Sequence, residues 1–203
     1  MFKNRKEAGH LLAQKLIEYK DRKDVLVLAL PRGGLVVGNE LSKELNLPLD
    51  IIVTRKIGAP ENPEFAIAAV SQNIILKNED IPDIDTNYFQ KEVGEQRKEI
   101  ARRLKLYRQG KGAINIENKI VIIVDDGIAT GLTMKVAILE IKRQMPKKVI
   151  LAIPVAPADT LKDLEKEVDE IIVLEIPSSF FAIGQFYKDF EQVSDEEVIR
   201  LLK

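Results

Sequence analysis

The 203-residue sequence predicts an α/β fold, a mostly parallel twisted sheet with helices on both faces. Three observations carry that expectation. Short apolar runs of strand length alternate with longer segments whose apolar residues recur at helical spacing. One run, Ile120–Val124, is β-branched at every position and reads as a strand buried on both faces, as in a parallel sheet. Two of the runs pass directly into glycine-bearing turns and then into helices, and open α/β sheets bind ligands where strands end and helices begin.

The composition narrows the function classes. Apolar residues make up 45% and charged residues 31%, the profile of a globular chain. A net charge of −1 gives no electrostatic case for binding nucleic acid. Without cysteine there is no disulfide framework and no thiolate zinc site. The single histidine, His10, argues against a histidine metal centre or a Ser-His-Asp triad, and it reads as a helix-surface residue. No apolar run approaches the ~18 residues of a membrane span, and Met1–Glu7 lacks a signal-peptide core. A cytoplasmic protein with no membrane partner is expected.

Taken in order, residues 4–20 read as an amphipathic helix with Ala8, Leu12, Leu16 and Tyr19 on one face. Val25–Leu30 is a strand that ends in Pro31-Arg32-Gly33-Gly34. A helix follows over Leu35–Leu45, with Val37, Leu41 and Leu45 in phase. Leu49–Val53 is the next strand. Thr54–Glu64 reads as a loop because of its prolines and glycine, and the cations Arg55 and Lys56 open it. Phe65–Val70 and Ile74–Leu76 form a hairpin around Ser71-Gln72-Asn73, and Asn78–Asp85 is a linker. Thr86 starts a long charged helix to about Gln109, closed by Gly110 and Gly112. Its apolar positions are sparse, so its cations Arg97, Arg102, Arg103 and Arg108 are expected to face solvent or a second subunit rather than reach a phosphate, which favours a homodimer. After Ile120–Val124 come a helix carrying Met134, Ala137, Ile138, Ile141 and Met145, a strand Val149–Ile153, a helix with Leu161, Leu164 and Val168, and a last strand Glu170–Ile176. Five of the eleven aromatics then fall between Phe180 and Phe190, and Ser194 caps a short acidic-started helix.

The stretch Asp125-Asp126-Gly127-Ile128-Ala129-Thr130-Gly131-Leu132-Thr133 carries the chemistry. Adjacent carboxylates accept from two neighbouring hydroxyls or approach a metal. Gly127 and Gly131 let backbone N–H groups near an anion, Thr130 and Thr133 add hydroxyls, and the next helix points its positive end at the same place. The set suits a sugar phosphate; an ordinary strand-to-helix turn with a solvated acid pair is the alternative. At Arg32-Gly33-Gly34 a guanidinium fork suits phosphate oxygens, against the reading of a tight turn with an incidental arginine.

This pattern closely resembles the type I phosphoribosyltransferases, and the resemblance spans most of the chain, nearest to a group whose acceptor is unassigned. It implies that Asp125 and Asp126 hold the ribose hydroxyls of phosphoribosyl pyrophosphate (PRPP), with Mg²⁺ reaching them mainly through ligand or water. It implies that Gly127–Thr133 wraps the 5-phosphate, and that Leu30–Gly34 binds pyrophosphate through a non-proline cis peptide, with strained backbone at Arg32–Gly33. Arg55 and Lys56, on a loop that closes over the site, would bind the leaving group with Arg32. An aromatic of the C-terminal hood, Phe181 or Phe186, would stack the acceptor base, although packing of a lid explains the cluster equally.

The implied fold is one domain over 1–203: a core of about 21–176, a helical insertion at about 80–112, and a hood from 1–20 and 177–203. The implied reaction is Mg²⁺-dependent transfer of ribose 5-phosphate from PRPP to a small nitrogenous base, as in nucleotide salvage. Enzymes of this family for 6-oxopurines carry an aspartate where this chain has Ala129, which disfavours that acceptor route. Glu64 is a candidate acid or base. Two other readings stay open: a non-catalytic sensor of PRPP or nucleotides, and cleavage of nucleoside monophosphates in the reverse direction.

Overall fold

The computed structural model describes residues 1–203 apart from 64, 79, 80, 82 and 83. In chain order its elements are α1 (Arg5–Lys15), β1 (Val25–Ala29), α2 (Gly33–Leu45), β2 (Leu49–Ile51), β3 (Arg55–Gly58), β4 (Ala66–Val70) and β5 (Ile75–Lys77). They continue with α3 (Thr86–Arg108), β6 (Ile120–Val124), α4 (Leu132–Lys142), β7 (Lys148–Val155), α5 (Ala158–Glu165), β8 (Glu170–Glu175) and α6 (Asp195–Leu201).

Five strands form a parallel sheet in the order β2-β1-β6-β7-β8. Chain order therefore reverses direction between β1 and β6, which makes their shared end the switch point of an open α/β sheet. β1 and β6 pair in register from Val25↔Ile120 to Ala29↔Val124, so both strands stop at one level and release their loops side by side.

Alternation of side chains along each strand divides the core. Leu26, Leu28, Val121, Ile123 and Leu151 pack with Met134, Ile138 and Ile141 of α4 and Leu161 and Leu164 of α5. Val25, Val27, Ile120, Ile122 and Ile150 meet Leu12 and Leu16 from the α1 side, and Val37, Leu41 and Leu45 of α2. Helices thus cover both faces, as expected for strands that are apolar at every position. α1 crosses α2 closely because Gly9 has no side chain; a Cβ there would sit 2.8 Å from Glu40 Cβ and closer still to the Val37 carbonyl. His10 lies on the surface, hydrogen-bonded to Glu44 and to Gln14.

The second sheet, β3-β4-β5, is antiparallel. Here the structure corrects the sequence reading. Arg55–Gly58 is a strand, not the start of a loop, because Arg55–Ile57 pairs with Val70–Ala68 across the sheet. Its prolines begin only at Pro60, and a run of two cations gave no local strand signal. The expected hairpin is present as β4 and β5. Buried Glu140 of α4 holds its turn, accepting from Ser71 Oγ at 2.5 Å, Asn73 N at 3.0 Å and Asn73 Nδ2 at 2.7 Å. α2 begins two residues earlier than predicted, inside the glycine pair, and β7 runs on to Val155.

α3 spans Thr86–Arg108, close to the predicted bounds, with Asp85 accepting from Tyr88 N at 2.7 Å as its N-cap. Its far end is anchored where Arg108 Nε and Nη2 donate to Asp50 Oδ1 and Oδ2, each at 3.0 Å, beside the backbone N–H of Ile114. The two ends of the chain build one cap: Phe2 bridges to Tyr187, and both rings join Phe186, Ala8 and Val155 in a small core.

Candidate active site

The two loops released at the switch point touch. Leu30 N donates to the Val124 carbonyl at 2.9 Å, which ties the start of the first loop to the end of β6. The peptide between Pro31 and Arg32 is cis, inside the expected Leu30–Gly34 loop and one bond before Arg32–Gly33; Arg32 itself has ordinary right-handed helical dihedrals. The glycines that follow are needed for space. A Cβ on Gly34 would lie 2.7 Å from Asp125 Cα, and one on Gly33 would lie 2.7 Å from Asp126 Cγ. The acid pair therefore rests directly on the glycine pair.

Asp125 accepts from Asp126 N at 2.8 Å. Burial, and then the neighbouring Asp126 charge, push the Asp125 carboxyl well above the usual range. Asp126 is buried and ion-paired with Arg5, Nε to Oδ2 at 2.7 Å. The Tyr187 hydroxyl donates to the Asp126 carbonyl at 2.6 Å, and burial raises that phenol's pKa. Gly127 lies under the hood, where a Cβ would be 2.6 Å from Ile183 Cγ2. Ile128 is buried and its N–H donates to the Val155 carbonyl at 3.0 Å. Ala129 and Thr130 are exposed at the loop tip, and Thr160 of α5 steadies it with a bond to the Ala129 carbonyl at 2.7 Å. Gly131 takes φ 78°, a left-handed conformation that favours glycine, and starts α4. Neither α2 nor α4 has a side-chain cap on its first turn, so N–H groups around Gly33–Gly34 and Leu132–Thr133 stand at the head of their helices, while Leu35 N donates to the Arg32 carbonyl at 3.2 Å.

The cations divide. Arg32 reaches α6, with Nη1 at 3.4 Å from Asp195 Oδ1. Asp195 also accepts from the Tyr107 hydroxyl at 2.6 Å and lies 3.7 Å from Arg102. Arg55 is half-buried and donates to Gln96 Oε1 at 2.9 Å. Burial, then the charge of Arg103 and, more weakly, that of Arg32, lower its pKa. Lys56 is exposed and follows Arg55 on a strand, where successive side chains point to opposite faces. The structure thus groups Asp125, Asp126, Gly33, Gly34 and Gly127 tightly, sets Arg32 and Arg55 to one side, and turns Lys56 away.

In the hood, Phe186 is 6% exposed and stacked on Phe180 at 5.5 Å, so its ring is used in packing and is not open to a base. Phe181 is 90% exposed. Glu64 lies outside the described residues. Among the described residues, no group of three or more acidic or histidine side chains could hold a metal ion. No helix among them is long and apolar enough to cross a membrane.

Sequence reasoning missed Arg5, Tyr107, Thr160, Tyr187 and Asp195. Each acts through a contact with an element distant in sequence, which no local pattern reveals. The Asp195 cluster makes a pH prediction. Tyr107, then Arg32 and Arg102, hold the Asp195 carboxyl below its usual range, and Arg102 and Arg103 hold Glu99 at about 2. Groups depressed on folding stabilise the fold above their unfolded values, near 4, and lose that contribution as pH falls towards 2. Thermal melts of wild type are expected to weaken across that window, and Asp195→Asn to show a shallower acid slope; equal slopes would refute the role of Asp195.

The family model described as the phosphoribosyl transferase domain matches residues 3–191. A protein of Mycobacterium tuberculosis (strain H37Rv) named "Putative phosphoribosyl transferase Rv0571c" is 39% identical over 206 residues, an alignment that covers 100% of this chain and 46% of the relative. The chain thus spans about half the length of the curated relatives it matches. The crystal structure of TT1426 from Thermus thermophilus superposes with a TM-score of 0.82 at 36% identity, covering 99% of this chain and 97% of that one. A hypoxanthine phosphoribosyltransferase from Staphylococcus aureus shares the fold, with a TM-score of 0.50 at 16% identity over 87% of this chain and 74% of its own. The acid pair and glycine loops at the switch point, together with these matches, establish that the chain belongs to the phosphoribosyl transferase domain family and has the type I phosphoribosyltransferase fold.

Proposed function

We propose that this chain transfers ribose 5-phosphate from PRPP to a nitrogenous base. The observation that carries this reading is the contact between Gly33-Gly34 and Asp125-Asp126, which brings two glycine loops, two uncapped helix starts and an acid pair to one point. A phosphorylated sugar needs those groups together. In the reaction the anomeric C–O bond to pyrophosphate breaks, a C–N bond to the base forms, and the proton of the base nitrogen passes to the departing pyrophosphate or to water. Gly127–Thr133 receives the 5-phosphate, with N–H groups at the head of α4 and the Thr130 and Thr133 hydroxyls as donors. Asp125 and Asp126 accept from the ribose hydroxyls. Arg32 and Arg55 stabilise pyrophosphate as it leaves, and Phe181 offers an open ring to the acceptor.

The donor set fits a magnesium ion that arrives with the ligand. Two adjacent carboxylates are present without a third protein ligand among the described residues, and Mg²⁺ commonly takes one or two carboxylates plus phosphate oxygens and water. When bound, it would offset charge growing on the pyrophosphate. The same proposal takes 1–203 as one domain, with the hood made from both ends, acting in the cytoplasm as a homodimer that meets its partner along the charged side of α3.

Calorimetric titration with PRPP and Mg²⁺ tests the reading. Wild type is expected to bind, and an Asp125→Asn, Asp126→Asn double variant to lose at least about 100-fold in affinity. A folded wild type that does not bind would overturn it. Pyrophosphate release that depends on an added base then separates turnover from sensing.

A further inference from the structure

Arg5 lies in the first turn of α1, 121 residues from the carboxylate it grips. Its Nε donates to Asp126 Oδ2 at 2.7 Å, and its Nη1 donates to the Glu191 carbonyl at 2.8 Å. The guanidinium carbon stands 3.8 Å from the centre of the Phe190 ring. The paired side chains are only 11% and 12% exposed, so solvent screens this contact little. Tyr187 holds the backbone carbonyl of the same aspartate.

We propose that Arg5 is a positioning residue of the ribose site, acting through Asp126: it fixes that carboxylate and leaves Oδ1 to accept a sugar hydroxyl. This rests on the proposed reading of Asp125 and Asp126 as the ribose pair. An aspartate carboxylate can turn about its terminal torsion, and an acceptor that turns cannot define where a hydroxyl sits. With Oδ2 held by Arg5, that rotation is restrained, while Tyr187 fixes the backbone that carries it. The geometry calls for arginine. One planar group gives N–H donors in its plane to a carboxylate and a carbonyl while its face lies on an aromatic ring. A lysine ammonium has no flat face and no fork. Phe190 and Glu191 belong to the hood, so the seating of the hood and the aim of the carboxylate are set by one side chain.

The test is a mutant cycle read by calorimetric titration with PRPP and Mg²⁺, on wild type, Arg5→Gln, Arg5→Lys, Asp126→Asn and the Arg5→Gln, Asp126→Asn double variant. Loss of a residue that orients a ligand-binding group commonly costs 10- to 100-fold, so Arg5→Gln is expected to weaken PRPP about tenfold or more. Arg5→Lys should restore only part of that loss. In the Asp126→Asn background, adding Arg5→Gln should change affinity less than twofold, because the residue it acts through is already gone. Two results would overturn the proposal: an Arg5→Gln variant that binds as wild type does, or single losses that multiply in the double variant. Should Arg5→Gln not fold, Phe190→Leu keeps the charge and removes the platform; it is expected to weaken PRPP several-fold, and unchanged binding would count against Arg5. A folded wild type that binds no PRPP is a different result, because it removes the ribose assignment beneath the proposal.

Discussion

Gly33→Ala is expected to weaken PRPP binding by at least about 100-fold while leaving the protein folded. Gly33 has no left-handed φ, so alanine meets no conformational penalty there, and in a helix it is worth roughly 0.5–1 kcal/mol over glycine. The obstacle is the acid pair. The new methyl would stand 2.7 Å from Asp126 Cγ and 2.9 Å from Arg5 Nε, and closer still to the carboxylate oxygen between them. Asp126 has to swing aside and leave its ion pair. A displacement of about 1 Å at a positioning group can cost on the order of 100-fold. Calorimetry with PRPP, run beside a thermal melt, checks both halves of the prediction. Wild-type affinity in Gly33→Ala would show that ribose does not bind at Asp126. Gly34→Ala gives the contrast: its methyl meets backbone, 2.7 Å from Asp125 Cα, so stability should fall together with binding.

Arg108→Met is expected to cost about 3 kcal/mol of stability. The change leaves the Asp50 carboxylate, whose side chain is 7% exposed, without its cation. Two backbone N–H groups remain to it, from Ile114 at 3.0 Å and Ile51 at 2.8 Å. Breaking one side of a buried pair typically costs ~3–5 kcal/mol, and the low end applies because Arg108 keeps some solvent contact. Asp50→Asn in the same chain should recover part of the loss, since it removes the buried unpaired charge, although its one amide oxygen can accept from only one of the two N–H groups, which bond different Asp50 oxygens. Denaturant midpoints at constant slope would measure both effects, and a loss below about 1 kcal/mol would mean that the pair is solvated in solution. The far end of α3 should loosen first, because Arg108 joins it to the edge strand β2.

What could be read from the sequence was what is written locally. Ile120–Val124 is apolar at every position because both of its faces are covered, so the run announced a parallel central strand without reference to any other residue. The loops after β1 and β6 were visible for the same reason: glycines, hydroxyls and acids at a strand end form a short pattern. Arg55 and Lys56 misled, because β3 is stabilised by its partner β4 and not by its own composition. Phe181 and Phe186 looked alike in sequence, and only the packing of Phe186 on Phe180 separates the buried ring from the open one. Arg5, Asp195 and Tyr187 were invisible, since their meaning lies in side chains more than 60 positions away: 121 for Arg5 with Asp126, 163 for Arg32 with Asp195 and 61 for Tyr187 with Asp126.

Those long separations bear on how the protein is made. Synthesis proceeds from the N-terminus at about 5–20 residues per second, and domains fold as units when enough chain is available. The sheet, the acid pair and both glycine loops are complete once residue 175 has left the ribosome. Phe2, Ala8 and Val155 have no cover until Phe186 and Tyr187 follow, and Arg5 has no platform until Phe190. A nascent chain paused at that stage carries the acid pair and both glycine loops beneath an exposed apolar cap, the sort of surface that chaperones hold. Ligand present during translation would meet the loops before the hood could close over them.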